Sequence, residues 1–327
     1  MLSWPYRRTL ILQEIFHIDA DIVCLQEIQS DHYESDLLPR MRVVGYDGVF
    51  RQKSREGMGQ YGKVDGCAIF WQTSKLRLVE YFDVDFNEEA RREATRNKMS
   101  ENSMRRYLTR VCKDNIAQII EFEFIASGAQ VPRFCVANTH LYSNSRQPDV
   151  KLLQTWILLS HIQRYLSTRR QQGYDLGLIL CGDFNSQSDS AVYKFLTEGV
   201  ASESHPELEG LDLQSNVLPD FKRIIHSLAL SSAMASNGLD EPYFTNYTVQ
   251  FRGTLDYIWY TPSNFTVESY LSFPSEEEIL KNGLALPSAV LPSDHIILCC
   301  NFSCHLSNKV MGFGASTLQK SRNKFAK

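Results

Sequence analysis

Apolar residues recur along this chain in two rhythms. Leu10, Ile11, Leu12, Ile15 and Phe16 form a helical stripe that stops before the strand-like run DADIVCLQE, so a helix followed by a strand opens the sequence. Short apolar runs bounded by polar or turn residues predict further strands at 64–71, 76–82, 115–124, 133–140, 176–182, 255–261, 266–273 and 295–302. Residues 149–170 carry apolar positions at steps of three and four, with Asp149 near the start and Arg169 and Arg170 near the end, the order a helix dipole favours. The charged stretch 87–110 has few apolar positions and predicts a solvated helix or a mobile insert. No repeat and no Pro/Gly/Ser-rich linker divides the middle of the chain. One domain over 1–305 is therefore expected, followed by a basic, core-poor and disordered tail over 306–327.

Composition narrows the class. With 327 residues and 43% hydrophobic content the chain is long enough for a full core. Six of its eight cysteines, Cys24, Cys67, Cys135, Cys181, Cys299 and Cys300, lie inside apolar runs and serve as small hydrophobes, so neither a disulfide framework nor structural zinc is expected. The first residues lack the layout of a signal peptide and no run approaches membrane-spanning length. The expectation is a soluble intracellular protein with no membrane partner, cytoplasmic, with the nucleus also open. The net charge of −4 means that nucleic-acid contact would rely on local basic patches.

Polar residues collect where the strands stop. Glu27, His140, Asp183 and Asn185 follow strand-like runs, whereas Asp256, Asp294 and His295 precede them. If all share one rim, the sheets must contain antiparallel strands, which excludes a doubly wound parallel sheet. Carboxylates, imidazoles and a carboxamide without cysteine suit Mg²⁺ or Mn²⁺ and a phosphate ester. Carboxylates hold the ion, the ion neutralises phosphoryl charge, and a carboxylate or imidazole takes a proton from water. Taken singly, each such residue reads more readily as a cap or a satisfied surface group; the ensemble changes that.

The ordered motifs ADIVCLQEI, ANTHL, LILCGDFNS, GTLDYIWY and LPSDHIIL resemble those of the endonuclease/exonuclease/phosphatase superfamily, which includes the DNase I-like nucleases. Together with SWPYRRTLILQEI, VDGCAIFW and EPYFTNYTVQFRGTLDYIWYT, they are similar to the catalytic subunits of the carbon catabolite repressor–Not poly(A) deadenylase complex and to Angel, nocturnin and the 2′-phosphodiesterases. The resemblance implies an α/β fold, a four-layer sandwich of two packed mixed sheets flanked by helices. It also implies a Mg²⁺-dependent 3′ to 5′ exoribonuclease that shortens poly(A) tails, with RNA and a deadenylase complex as partners.

In that frame Glu27 is the main metal ligand and Asp294 a water-bridged metal partner. Asp183 positions or deprotonates the attacking water, Asn185 steadies water and phosphate, Asp256 and His295 contact the scissile phosphate as a pair, and His140 is a further phosphate contact. Phe251 stacks on a terminal base, a contact tolerant of base identity. Two departures keep alternatives open. Ser145 stands where the deadenylases carry a proline, with Pro148 later, which leans toward a phosphatase or phosphodiesterase acting on RNA ends with 2′,5′ or 2′,3′-cyclic linkages. The family's first strand, bearing an Asn in a Tyr-Asn pair, would precede Met1, which leaves open either an incomplete sequence or a weakly active RNA- or partner-binding protein.

Overall fold

A computed structural model describes residues 3–54, 64–125, 131–209, 211, 224–306 and 309–312. The chain opens with α1 (Trp4–Ile18), with Pro5 in its first turn where no backbone donor is lost, and continues into β1 (Ile22–Gln29). A broken helical segment follows: α2 (Ser30–His32), a π-helical turn Tyr33–Leu37 and α3 (Leu38–Val43). Next come β2 (Tyr46–Gln52), β3 (Asp65–Gln72), β4 (Leu76–Asp85), α4 (Phe86–Arg96), α5 (Glu101–Val111), β5 (Ile116–Phe124) and β6 (Arg133–His140). The second half holds α6 (Pro148–Gln171), β7 (Gly177–Asp183), α7 (Ala191–Glu198), the short β8 (Ser231–Ser232), β9 (Asn246–Tyr247) and β10 (Arg252–Gly253), then β11 (Asp256–Tyr260) and β12 (Phe265–Tyr270). After a one-turn helix at Glu276–Leu280, β13 (Cys300–Leu306) and β14 (Lys309–Gly312) close the described chain.

Four layers result. The central six-stranded sheet has the order β4-β5-β6-β7-β11-β8 and is mixed: β6 and β7 run parallel and every other pair is antiparallel. Its inner strands β5, β6 and β7 are largely apolar on both faces, as a sheet covered on both sides requires. Ile120, Phe122, Phe134 and Val136 meet Ile69 and Trp71 of β3 and Phe302 of β13 between the sheets. The alternate residues Ala117, Ile119, Cys135 and Ala137 meet α4 to α7 on the other side. Ala68 and Phe70 of β3 point outward to Leu12 and Ile15 of α1 and to Leu37 and Met41. Each large apolar side chain buried this way contributes about 1.5–3 kcal/mol.

The structure refines the expected elements in three places. Among the described residues, the strands facing the six-stranded sheet form two antiparallel sheets, β1-β3-β2 and β12-β13-β14. Among the described residues no ladder joins β1 to β13, and residues 296–299, expected as strand, belong to no ladder. The stretch 87–110, expected as a solvated helix or a mobile insert, is helical but not solvated all round. It folds as two capped helices, Asp85 accepting from the Asn87 and Glu88 amides and Ser100 from the Ser103 amide, and Phe86, Ala90, Ala94, Tyr107 and Val111 bury one face of the pair. Of the expected tail, 309–312 pairs with Ser303–Leu306, and 307–308 and 313–327 lie outside the described residues. Among the described residues no helix is long and apolar enough to cross a membrane.

Candidate active site

Strand register assembles the rim. His140 is opposite Asp183 in the parallel β6–β7 ladder, and Asp256 is opposite Asp183 in the antiparallel β7–β11 ladder. That change of direction lets residues that end two strands meet one that begins a third. Gly182 makes the approach possible, because a Cβ there would stand 2.2 Å from the Thr139 carbonyl oxygen. His295 arrives from the loop before β13, its backbone bridged to Asn246, and its Nδ1 lies 2.8 Å from Asp256 Oδ2.

The three side chains Asp183, Asp256 and His295 offer ligand atoms within 4.8 Å of one another, a group able to hold a metal ion. His140 Nε2 is 3.5 Å and His295 Nε2 3.9 Å from Asp183 Oδ2. Burial, then the nearby Asp256 charge, push the Asp183 carboxyl up to about 8, against the opposing pull of His295 and the Asn185 amide. For His295, burial works to lower the imidazole, but the hydrogen bond and charge of Asp256, with Asp183 and Asp294 behind it, raise it to about 9. Burial first, then the Lys53 charge, lower His140 to about 3, so its imidazole is neutral. Two acids and an imidazolium facing one another define a place where added positive charge is stabilised and where a phosphoryl group meets a donor.

Glu27 is exposed and sits in the left-handed region (φ 58°) at a bulge between Leu25 and Ile28, which aims it out of the strand's alternation. Asn138 of β6, fully buried, fixes that bulge across the sheets: it donates to the Leu25 and Ala68 carbonyls and accepts from Gln26. Asn185 is also left-handed (φ 48°); its amide N–H donates to Asp183 and its side chain to the Leu141 carbonyl. Non-glycine residues pay about 1–2 kcal/mol for that conformation, and strain of this kind collects at functional sites. Asp294 stands beside the rim, 3.5 Å from the Asn246 amide nitrogen. Phe251 caps the β9–β10 hairpin, its backbone tied to Thr248 and its ring against Gly253, where a Cβ would lie 2.8 Å from Phe251 Cζ.

The rim therefore unites Asp183, Asp256, His295 and His140, with Asn185 at its edge, while Glu27 and Asp294 stand outside the convergent three. The sequence reading missed the residues that hold these in place. Thr245, fully buried, donates to Asp256 at 2.6 Å, and Asn246 carries both the backbone bridge to His295 and the contact to Asp294. Lys151, buried in α6, donates to the Asn185 carbonyl. A polar residue inside the apolar face of a predicted helix was the available signal for Lys151; the turn-rich FTNYTVQ offered none.

Known proteins resemble this chain in sequence and fold. The chain is 37% identical over 328 residues to carbon catabolite repressor protein 4 homolog 1 of Arabidopsis thaliana, covering 93% of this chain and 53% of the relative. It is 32% identical to the CCR4-Not complex 3′-5′-exoribonuclease subunit Ccr4 of Schizosaccharomyces pombe, covering 92% of this chain and 45% of that protein. It thus spans about half the length of the curated relatives it matches. Among solved structures, ANGEL2, a 2′,3′-cyclic phosphatase in complex with adenosine-2′,3′-vanadate, superposes with a TM-score of 0.72 at 26% identity, over 93% of this chain and 88% of that one. The family model for the endonuclease/exonuclease/phosphatase family matches residues 1–295, a span that contains β1, β6, β7, β11 and His295 itself. By that match, carried over the whole rim, the chain belongs to the endonuclease/exonuclease/phosphatase family.

Proposed function

We propose that the rim hydrolyses RNA phosphodiesters from the 3′ end with the help of Mg²⁺ (Mn²⁺ serving as well), releasing nucleoside monophosphates in the manner of a poly(A) deadenylase. The observation that carries this reading is the convergence of Asp183, Asp256 and His295 on one point. The naming of similar proteins as 3′-5′ exoribonuclease subunits supports it. The donor set fits a hard divalent ion: carboxylate oxygens predominate and no thiol joins them. Glu27, on its strained bulge and close enough for its charge to raise Asp183, is the proposed principal ligand, with Asp294 behind a water. When bound, the ion supplies charge neutralisation for the phosphoryl oxygens.

The chain's own groups do the rest. Asp183, with its proton affinity raised, accepts a proton from the attacking water. His295, kept as an imidazolium by Asp256, donates to a phosphoryl oxygen as charge builds there. Asn185 and neutral His140 flank the phosphate, and Phe251 offers a ring to the terminal base. RNA is the proposed partner, a deadenylase complex the proposed assembly, and the cytoplasm, with the nucleus, the proposed location.

A second reading, a phosphatase or phosphodiesterase acting on 2′,3′-cyclic or 2′,5′-linked RNA ends, is favoured by the likeness to ANGEL2 and by the place of Pro148. That proline is buried in the first turn of α6, and Ser145 is exposed. One experiment separates them: incubation with Mg²⁺ and short RNAs ending in A, in mixed sequence, in a 2′,5′ linkage or in a 2′,3′-cyclic phosphate. Stepwise loss of AMP from the A-ended RNA supports the deadenylase. Turnover confined to the cyclic or 2′,5′ ends replaces it with the second reading, and binding without any turnover leaves only an RNA-binding protein.

A further inference from the structure

The first turns of α6 bury polar side chains beneath the rim. Lys151 is 2% exposed, and its Nζ donates to the Asn185 carbonyl at 2.6 Å. One turn further, Gln154 accepts from the Tyr142 amide and donates to Asn115, which in turn donates to the His140 carbonyl. Asn185 closes the circuit through its own amide to the Leu141 carbonyl. Two residues on one face of one helix thus hold the two segments, 140–142 and 183–185, that bring His140, Asp183 and Asn185 together.

Burying an ammonium group is costly, and a leucine or methionine would pack at this position without that penalty. Among the described residues no carboxylate lies within 4.0 Å of the Lys151 amine, so an ion pair does not account for its presence; Glu207 and Asp183 act on it only from further away. What the amine does reach is the carbonyl of a residue in the left-handed conformation. We infer that Lys151 is a positioning residue: it locks the strained Asn185 so that the amide faces the phosphate, and it acts on turnover only through Asn185. The inference rests on the hydrolytic reading of the rim.

The test compares Lys151→Met, Lys151→Arg, Asn185→Ala and the double variant Lys151→Met/Asn185→Ala in the full chain with Mg²⁺ and an A-ended RNA. Lys151→Met is expected to lower kcat about 10- to 100-fold with KM within about twofold, the size of loss that a small misplacement of a reacting group produces. Its Tm is expected to be unchanged or higher, and Lys151→Arg to recover part of the rate. The double variant is expected to be no slower than Asn185→Ala alone. Multiplicative losses in the double variant, or a lower Tm with unchanged kcat, overturn the inference. A readout independent of turnover is the NMR chemical shift of the Asn185 amides, expected to move in Lys151→Met. An unmoved shift sinks the tether even if the protein cleaves RNA, whereas a moved shift in a protein that cleaves nothing keeps the tether and rejects only the hydrolytic reading.

Discussion

At the scale of single residues, the rim trades stability for chemistry. Asp183 is held with its folded-state pKa raised from 3.8 to about 8, so the folded state grips the proton more tightly than the unfolded chain does. Its contribution to stability is complete below about pH 3.8 and is lost as the pH rises toward 8. Asp183→Asn keeps an oxygen for the Asn185 amide and removes the charge. In metal-free protein at pH 7.5 it is expected to raise stability by on the order of 2 kcal/mol, several degrees in Tm, with the gain fading near pH 4. Turnover should fall at least about 100-fold. Thermal melts with EDTA at the two pH values decide it, and a lower Tm at pH 7.5 would refute the charge argument. Phe251 belongs to binding instead: Phe251→Ala is expected to weaken RNA affinity by about 1–3 kcal/mol while hydrolysis of a minimal phosphodiester stays near wild type, and equal losses on both would mark the ring as structural.

At the scale of elements, a buried carboxamide ties the sheets together at the site. Asn138 reaches from β6 to the Leu25 and Ala68 carbonyls and to Gln26, directly beside the Glu27 bulge. Asn138→Ala leaves buried acceptors short of a donor and should cost about 1–3 kcal/mol. Because the bulge loosens with it, the Mg²⁺ concentration for half-maximal rate should rise as well; a drop in Tm with an unchanged Mg²⁺ dependence would separate the tie from Glu27. Which elements could be read in the sequence follows the same physics. Strands buried on both faces, such as β3, β5 and β6, announce themselves as continuous apolar runs. The α4–α5 pair hid because alanines at one-turn spacing supply much of its buried face and charges surround them. The run at 295–302 looked like one strand, yet His295 makes only an isolated bridge to Asn246 and the ladder starts at Cys300, since pairing depends on a neighbour that local sequence does not describe. At the site, the residues at strand ends were legible because polarity interrupts an apolar run there; Thr245 and Asn246 were not, because their role is fixed by a loop folding back over β11.

At the scale of the whole molecule, the layers are unequally anchored. β5 and β6 lie inside the six-stranded sheet, paired on both edges and covered on both faces by the inter-sheet core and by the helices. β1 is paired only with β3 among the described residues, its side chains Ile22, Cys24 and Leu25 are only partly buried, and residues 296–299 carry no ladder. Local opening follows such differences, since amide exchange runs from near-free at weakly held edges to the global limit in central strands. Hydrogen exchange followed by mass spectrometry should therefore show β5, β6 and β7 as the slowest segments, with β1 and 296–299 exchanging well before them. Glu27 sits on the first of those looser segments and His295 directly precedes the second, whereas Asp183 and Asp256 sit on the firm sheet. An ion or phosphate that draws the two sets together must order the former more than the latter. Addition of Mg²⁺ with a non-hydrolysable RNA analogue is expected to slow exchange chiefly in 22–29 and 293–299 and to change little in β5 and β6. Protection spread evenly over all four layers, or confined to the six-stranded sheet, would show that the rim closes on its substrate without the β1 edge and would remove Glu27 from the proposed metal site.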